Sequence, residues 1–147
     1  ADGASFLIEA PTGGGVYASF FPRSTASGSY GAKIQVKSTG EVFVFLTSQV
    51  GGTEKILAQT ALPGRWAAGT KINVRTSAIG NGTTSLDATV WLDGEQEPAA
   101  PTLTATDATE QIQGAGSVLM SAYLSGSATS LNNKLLVSEF QARSIEQ

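Results

Sequence analysis

This sequence contains neither cysteine nor histidine, and it has few charged residues. The absence of cysteine excludes disulfide bonds and thiolate metal sites. Histidine is the side chain most often used as a base, metal ligand or pH switch near neutrality, and it is missing too. Charged residues make up 14% of the 147 positions, compared with roughly 25% in average proteins. Glycine, serine, threonine and alanine take their place, as in secreted bacterial β-domains, so we expect an extracellular or cell-surface location.

Long apolar runs and basic clusters are also missing. No apolar stretch approaches the roughly 18 to 20 residues that cross a bilayer, so we expect no membrane span. The net charge is −3 and the nine Lys and Arg residues are scattered, which disfavours nucleic acid as a partner because phosphate neutralisation needs a basic stripe. The length predicts one domain, 1–147, which we expect to be a module of a larger protein.

The residues that are present alternate with period two between Gly, Pro, Asn and Ser clusters, which is typical of strands and turns. The only helical candidate is a single turn at 107–112, where Asp107 or Thr109 could cap the start. Ten short strands without a long helix predict an all-β fold, an antiparallel two-sheet β-sandwich of jelly-roll type. The predicted strands are 5–10, 16–22, 30–38, 41–49, 54–62, 70–79, 84–92, 102–106, 117–124 and 134–143.

Two kinds of strand can be distinguished by their faces. In "AKIQVK", Ala32, Ile34 and Val36 oppose polar residues, so this strand should have one buried and one solvated face. The segment "EVFVFL" is apolar on both faces, which predicts a central strand or one whose outer face is covered.

The order of strands and turns resembles a known family. The segments "YGAKIQVKSTGEVFVFLTSQVGGTEKIL", "PGRWAAGTKINVRTSAIGNGTTSLDATVWLDGEQEP", "GSVLMSAYLSG" and "LLVSEFQARS" are similar to the concanavalin A-like, or laminin G-like, jelly rolls of secreted multidomain actinobacterial proteins. The resemblance extends from about Gly15 to Arg143. Lectins, carbohydrate-binding modules, glycosidases and polysaccharide lyases share this fold, so the resemblance leaves the function to be decided by site residues.

A ligand-binding surface is predicted around Trp91. In "SLDATVWLD" the core face is Leu86, Ala88, Val90 and Leu92, which places Trp91 on the opposite face with Asp87 and Thr89. Such a face suits a sugar, because an aromatic ring packs against its C–H side while polar groups form hydrogen bonds. If strands 70–79 and 30–38 lie in the same sheet, the surface would also include Arg75, Asn73, Lys33, Gln35 and Tyr30.

A structural role for the tryptophans is the alternative. Trp91 could be covered by a crossing loop such as "EPAAPTL". Trp66, in "LPGRWAAGT", lies between two strands and is expected to plug one end of the sandwich.

Enzymatic and metal sites are weakly supported. Asp93, Glu95 and Glu97 follow a strand, but Gly94 and Pro98 predict a loop rather than the pair of facing carboxylates that a retaining glycosidase needs. We expect no cofactor. Calcium is the one metal to consider, because laminin G-like folds often hold Ca²⁺ at a rim. The candidate ligands are Asp107 and Glu110, or Asp93 and Glu95; a capping or solvated role is the alternative.

Three functions remain open. The first is a non-catalytic binding module for a glycan or another cell-surface ligand. The second is a structural or protein-interaction domain without a small ligand, and the third is a polysaccharide-active enzyme with an unrecognised motif.

Overall fold

The structure, a computed structural model, describes residues 2–8, 16–67, 70–114, 117–124 and 135–141, with side chains described within 17–67 and 70–114. No helix in these ranges is long and apolar enough to cross a membrane. The one helical element among them is a 3₁₀ turn, Glu110–Ile112. The strands are β1 (Asp2–Ile8), β2 (Val16–Ser24), β3 (Gly28–Val36), β4 (Val42–Val50), β5 (Thr53–Ala61), β6 (Lys71–Ile79), β7 (Thr84–Leu92), β8 (Leu103–Asp107), β9 (Ser117–Leu124) and β10 (Leu135–Gln141).

The strands form two five-stranded antiparallel sheets, which confirms the predicted all-β sandwich. Sheet A has the order β10-β1-β6-β7-β8, and sheet B has the order β5-β4-β3-β2-β9. The chain therefore builds most of sheet B as a meander from β2 to β5. It then crosses to sheet A for β6 to β8, before β9 returns to sheet B and β10 to sheet A.

One hydrophobic core joins the inner faces of the two sheets. Alternate residues of a strand point to opposite faces, so each strand contributes every second residue. From sheet A the core receives Ile72, Val74, Leu86, Ala88 and Val90, and from sheet B it receives Ala18, Phe20, Tyr30, Ala32, Ile34, Val36, Val42, Val44 and Leu46.

The predicted strand ends differ from the observed ones by a few residues, and residues 9–10, 134 and 142–143 of the predictions lie outside the described residues. The end of β2 also differs: the strand was predicted to stop at Pro22, but it continues to Ser24. Between Phe20, opposite Ala32, and Arg23, opposite Tyr30, β2 has one residue more than β3, which is a β-bulge. The bulge accommodates Pro22, which has no N–H for a ladder. It also shifts the alternation, so that Arg23 is directed into the sandwich.

Trp66 closes one end of the sandwich, as the sequence predicted. Its side chain is buried in the core cluster and donates through Nε1 to the carbonyl of Thr70 at 2.7 Å. Its backbone N–H donates to the carbonyl of Gly40, in the turn between β3 and β4, at 2.6 Å. Gly40 has a φ of 89°, and a Cβ on it would lie 2.8 Å from the Trp66 carbonyl oxygen. Only glycine fits here, because both the conformation and the close approach exclude a side chain.

Candidate functional site

Of the residues predicted around Trp91, those of β6 and β7 share the outer face of sheet A with it: Asn73, Arg75, Asp87 and Thr89. Trp91 is paired with Asn73, Thr89 with Arg75, and Asp87 with Ser77. On the core face of β7, Leu86, Ala88 and Val90 are buried and Leu92 is half-buried, as is Trp91 on the opposite face.

Two of the charged groups on this face already have partners. Asp87 accepts a hydrogen bond from the Ser77 hydroxyl at 2.7 Å. Arg75 forms an ion pair of 2.8 Å with Glu97, in the loop that follows β7. Thr89 and Ser77 are buried although they lie on the outer side of the sheet. The surface around Trp91 is therefore internally paired and partly covered, which favours the structural alternative there.

The acidic loop after β7 does not bring its carboxylates together. Glu97 binds Arg75, whereas Glu95 accepts the backbone N–H of Leu92 at 3.3 Å, and Asp93 is exposed. The loop ends at Thr102, whose hydroxyl accepts the N–H of Val90 at 2.9 Å and so extends the edge of β7 beyond its pairing with β8. The loop charges are thus solvated or used in local contacts.

The expectation that β3 lies beside β6 and β7 is wrong, because β3 is the middle strand of sheet B. Lys33 and Gln35 are therefore on the outer face of the opposite sheet and cannot join Trp91. Tyr30 lies on neither outer face. It belongs to the same alternating set as Ala32 and Ile34, and it is fully buried in the core.

Tyr30 is part of a buried polar network. Its hydroxyl donates to Asp107 Oδ2 at 2.7 Å and accepts from Gln113 Nε2 at 2.9 Å. Burial, together with the Asp107 carboxylate, raises the pKa of Tyr30 to about 12. For Asp107, burial alone would raise the pKa; hydrogen bonds from Thr109 and Tyr30 outweigh it and leave that pKa lowered.

Arg23 completes this network with a cation whose acceptors, among the described residues, are a hydroxyl and backbone carbonyls. Its guanidinium donates to Thr84 Oγ1 at 2.8 Å and to the carbonyl of Gly80 at 2.9 Å, with longer bonds to the carbonyls of Ala78 and Ile112. Only 6% of the surface of Arg23 is exposed, and this burial lowers the pKa of its guanidinium. The network ties β2, β6, β7 and the 3₁₀ turn together, which is a structural function.

The predicted calcium ligands have separate surroundings. Asp107 accepts both the Tyr30 hydroxyl and the backbone N–H of Thr109, so one of its oxygens organises the approach to the 3₁₀ turn. Glu110 is exposed in the first turn of that helix. The described residues contain no group of three or more acidic side chains that could hold a metal ion. The N-cap residue of the 3₁₀ turn is Thr109, whose side chain forms no capping hydrogen bond, and Asp107 binds the N–H of Thr109 itself. The predicted capping by Asp107 or Thr109 is therefore wrong.

The outer face of sheet B carries a second candidate surface, which we call the outer groove. Two rows of residues cross the strands: Tyr17, Gln35, Phe43 and Ala61 form one, and Ser19, Lys33, Phe45 and Gln59 form the other. The groove has a volume of about 410 Å³ and is lined by Gln35, Lys37, Phe43, Phe45, Gln59, Thr60 and Ala61.

Aromatic rings are concentrated on this face. Phe43 and Phe45 are half-buried on neighbouring outward positions of β4. Tyr17 lies at the other end of the first row, with Lys33 Nζ 5.4 Å from its ring centroid. Further along the sheet the Phe21 ring covers Gly31, where a Cβ would lie only 3.1 Å from it. An outer sheet face in water seldom needs so many rings, so this surface is a candidate for ligand contact.

The amides and charges of the face are arranged around these rings. Gln35 is opposite Phe43, and Gln59 is opposite Phe45. Lys33 forms an ion pair of 2.6 Å with Glu54. Lys37 Nζ lies 4.6 Å from the centroid of the Phe43 ring. The groove thus combines two aromatic rings, two amide side chains and one ammonium group.

The predicted binding residues included Gln35 and Lys33 but not Phe43 or Phe45. The available signal was "EVFVFL", a strand apolar on both faces whose second apolar face needed an explanation. A scan against protein-family models and searches of curated proteins and of solved structures found no match to this chain.

Proposed function

We propose that this protein is a non-catalytic binding module that holds a glycan in the outer groove of sheet B. The observation that carries the proposal is the placement of Phe43 and Phe45 beside the amides of Gln35 and Gln59 in an open groove of about 410 Å³. That volume lies within the range of roughly 300 to 1,000 Å³ that is usual for ligand sites.

The chemistry of the groove suits a pyranose ring. The apolar C–H face of a sugar packs against an aromatic ring, while its hydroxyls require groups that both donate and accept hydrogen bonds. A glutamine amide does both, since its NH₂ donates and its oxygen accepts. Phe43 and Phe45 are two residues apart on one strand, so their Cα atoms are roughly 7 Å apart and their rings could contact successive parts of one glycan chain.

The proposal also includes an extracellular or cell-surface location and a role without catalysis. The low charge and the resemblance to concanavalin A-like domains support an extracellular or cell-surface module, and the jelly-roll assignment within the sandwich class rests on that resemblance. A binding role is supported further by the acidic residues after β7, because Glu95 and Glu97 have different partners instead of facing each other.

The test compares the two candidate surfaces directly. Immobilised neutral and acidic polysaccharides are offered to the wild-type protein, to Phe45→Ala and to Trp91→Ala. Loss of a well-packed aromatic contact at a binding hot spot commonly exceeds about 2 kcal/mol, so Phe45→Ala should weaken binding more than about tenfold. Trp91→Ala should retain it.

A matched control is Ile56→Ala. Ile56 is also exposed on sheet B, with 51% of its surface accessible, but it does not line the groove. Its replacement should leave affinity unchanged. If Trp91→Ala abolished binding and Phe45→Ala did not, the site would be on sheet A. If the wild-type protein bound no polysaccharide, the rival function, a structural or protein-interaction domain, would replace this proposal.

A further inference from the structure

The outer groove has an uneven charge. Among the described residues that line it there is one cationic side chain, Lys37, and no acidic one. The whole chain has the opposite sign, with a net charge of −3. The charge of the groove is therefore opposite in sign to the net charge of the protein.

Lys37 has no acidic partner among the described residues, unlike two other cations on the outer faces. Lys33 is paired with Glu54, and Arg75 is paired with Glu97. No ion pair joins Lys37 to any acidic side chain in the described part of the chain.

The nearest acid in the sequence, Glu41, is engaged elsewhere. Its Oε1 accepts the hydroxyl of Thr39 at 3.0 Å and lies 4.0 Å from Arg65. The backbone of Lys37 is held by the turn, since its N–H donates to the carbonyl of Glu41 and its carbonyl accepts the N–H of Gly40. The ammonium group therefore extends from a fixed backbone position and lies over the Phe43 ring.

We infer that the outer groove selects glycans that carry a carboxylate on the sugar ring, with Lys37 as the group that binds the carboxylate. The inference rests on the proposed glycan function. Because Nζ lies over the Phe43 ring, a uronate in the groove packs its ring against Phe45 and directs its carboxylate towards Nζ, where a charge-assisted hydrogen bond forms. The single cation matches a single negative charge. A densely sulfated chain carries several negative charges on each disaccharide and would need more than the one cation that lines the groove.

The experiment uses pairs of polymers that differ only in charge. Polygalacturonate, alginate and hyaluronan are each compared with their fully methyl-esterified forms, in which the carboxylate is neutral and the sugar backbone unchanged. We expect the wild-type protein to bind at least one acidic polymer about tenfold or more tightly than its ester, the usual effect of a hydrogen bond to a charged group.

Two variants test whether Lys37 causes the preference for the acidic polymer over its ester. Lys37→Gln should bind the acidic polymer only as well as its ester and should keep the affinity for the ester. Lys71→Gln is the control, because Lys71 is exposed on sheet A and does not line the groove. It should retain the full preference. Thermal unfolding of each variant verifies that the sandwich is intact.

The outcomes separate the two proposals. Equal binding of acid and ester by the wild-type protein, or an unchanged preference in Lys37→Gln, would overturn the carboxylate assignment while the glycan function stood. Tighter binding of dextran sulfate than of every uronate polymer would overturn it as well. Absence of binding to any polysaccharide would remove both.

Discussion

Replacement of Arg23 by methionine tests whether the buried polar network stabilises the sandwich. Methionine approximates the length of the arginine stem and removes the guanidinium. The loss affects two short hydrogen bonds, of 2.8 Å to Thr84 Oγ1 and 2.9 Å to the Gly80 carbonyl. Two longer bonds, of 3.3 and 3.4 Å, contribute less.

The expected loss of stability in Arg23→Met can be worked out from the hydrogen bonds that are lost and the partners that remain. Hydrogen bonds to a charged group contribute about 1.5 to 3 kcal/mol each, so the two short ones together contribute about 3 to 6 kcal/mol. Burial of the guanidinium offsets part of this, because a charge loses several kcal/mol of hydration inside a protein. Thr84 keeps a second partner, since its hydroxyl also donates to Gln113 Oε1 at 2.7 Å. We expect Arg23→Met to lower the free energy of unfolding by about 2 to 4 kcal/mol.

Urea unfolding followed by fluorescence and circular dichroism measures this change, provided that the slope against urea is unchanged. Arg65→Met is the control, because the Arg65 side chain is 64% exposed and its ion pair is 4.0 Å long. It should change stability by less than about 0.5 kcal/mol. If Arg23→Met were as stable as the wild-type protein, the free energy lost by dehydrating the guanidinium would equal the free energy gained from its hydrogen bonds. The network would then not stabilise the fold.

Three further changes probe the core and the outer face of sheet A. Tyr30 stays protonated in the folded protein up to about pH 12, whereas an unfolded tyrosine ionises near pH 10. Its stabilising contribution is therefore present below pH 10 and falls by about 2 to 3 kcal/mol as the pH rises to 12; urea titrations at several pH values should show a shallower decline in Tyr30→Phe. Val44 is fully buried, so Val44→Ala should cost about 1 to 3 kcal/mol, and an unchanged urea midpoint would contradict the assigned face. Trp91 is half-buried; Trp91→Ala should cost about 1 to 3 kcal/mol, less than emptying a fully buried aromatic site, and a thermal melt identical to wild type would show an uncovered ring.

Period-two alternation predicted the faces of the strands well. The bounds of β7 and the inward set Leu86, Ala88 and Val90 were predicted correctly, because one buried face imposes a regular pattern. The same rule applied to Tyr30 would have placed it inside with Ala32, since it is two residues away.

Which strands are neighbours could not be obtained from alternation. A pattern of faces shows that Lys33 and Trp91 both point outward, but it does not assign them to one sheet or to two. The direction of Arg23 was also hidden, because a bulge reverses the alternation and its only sequence signal is Pro22 within an otherwise regular strand.

The pairing of β1 with β10 has a consequence for how the chain folds. Gly3 is paired with Gln141, so sheet A requires contact between segments separated by almost the whole sequence. By contrast, β2 to β5 are joined by short connections and pair in sequence order. Contacts between distant segments form slowly, because the entropy of closing a long loop must be overcome first. The strands that line the outer groove, β3, β4 and β5, are therefore expected to assemble early, whereas sheet A waits for the last strand of the fold.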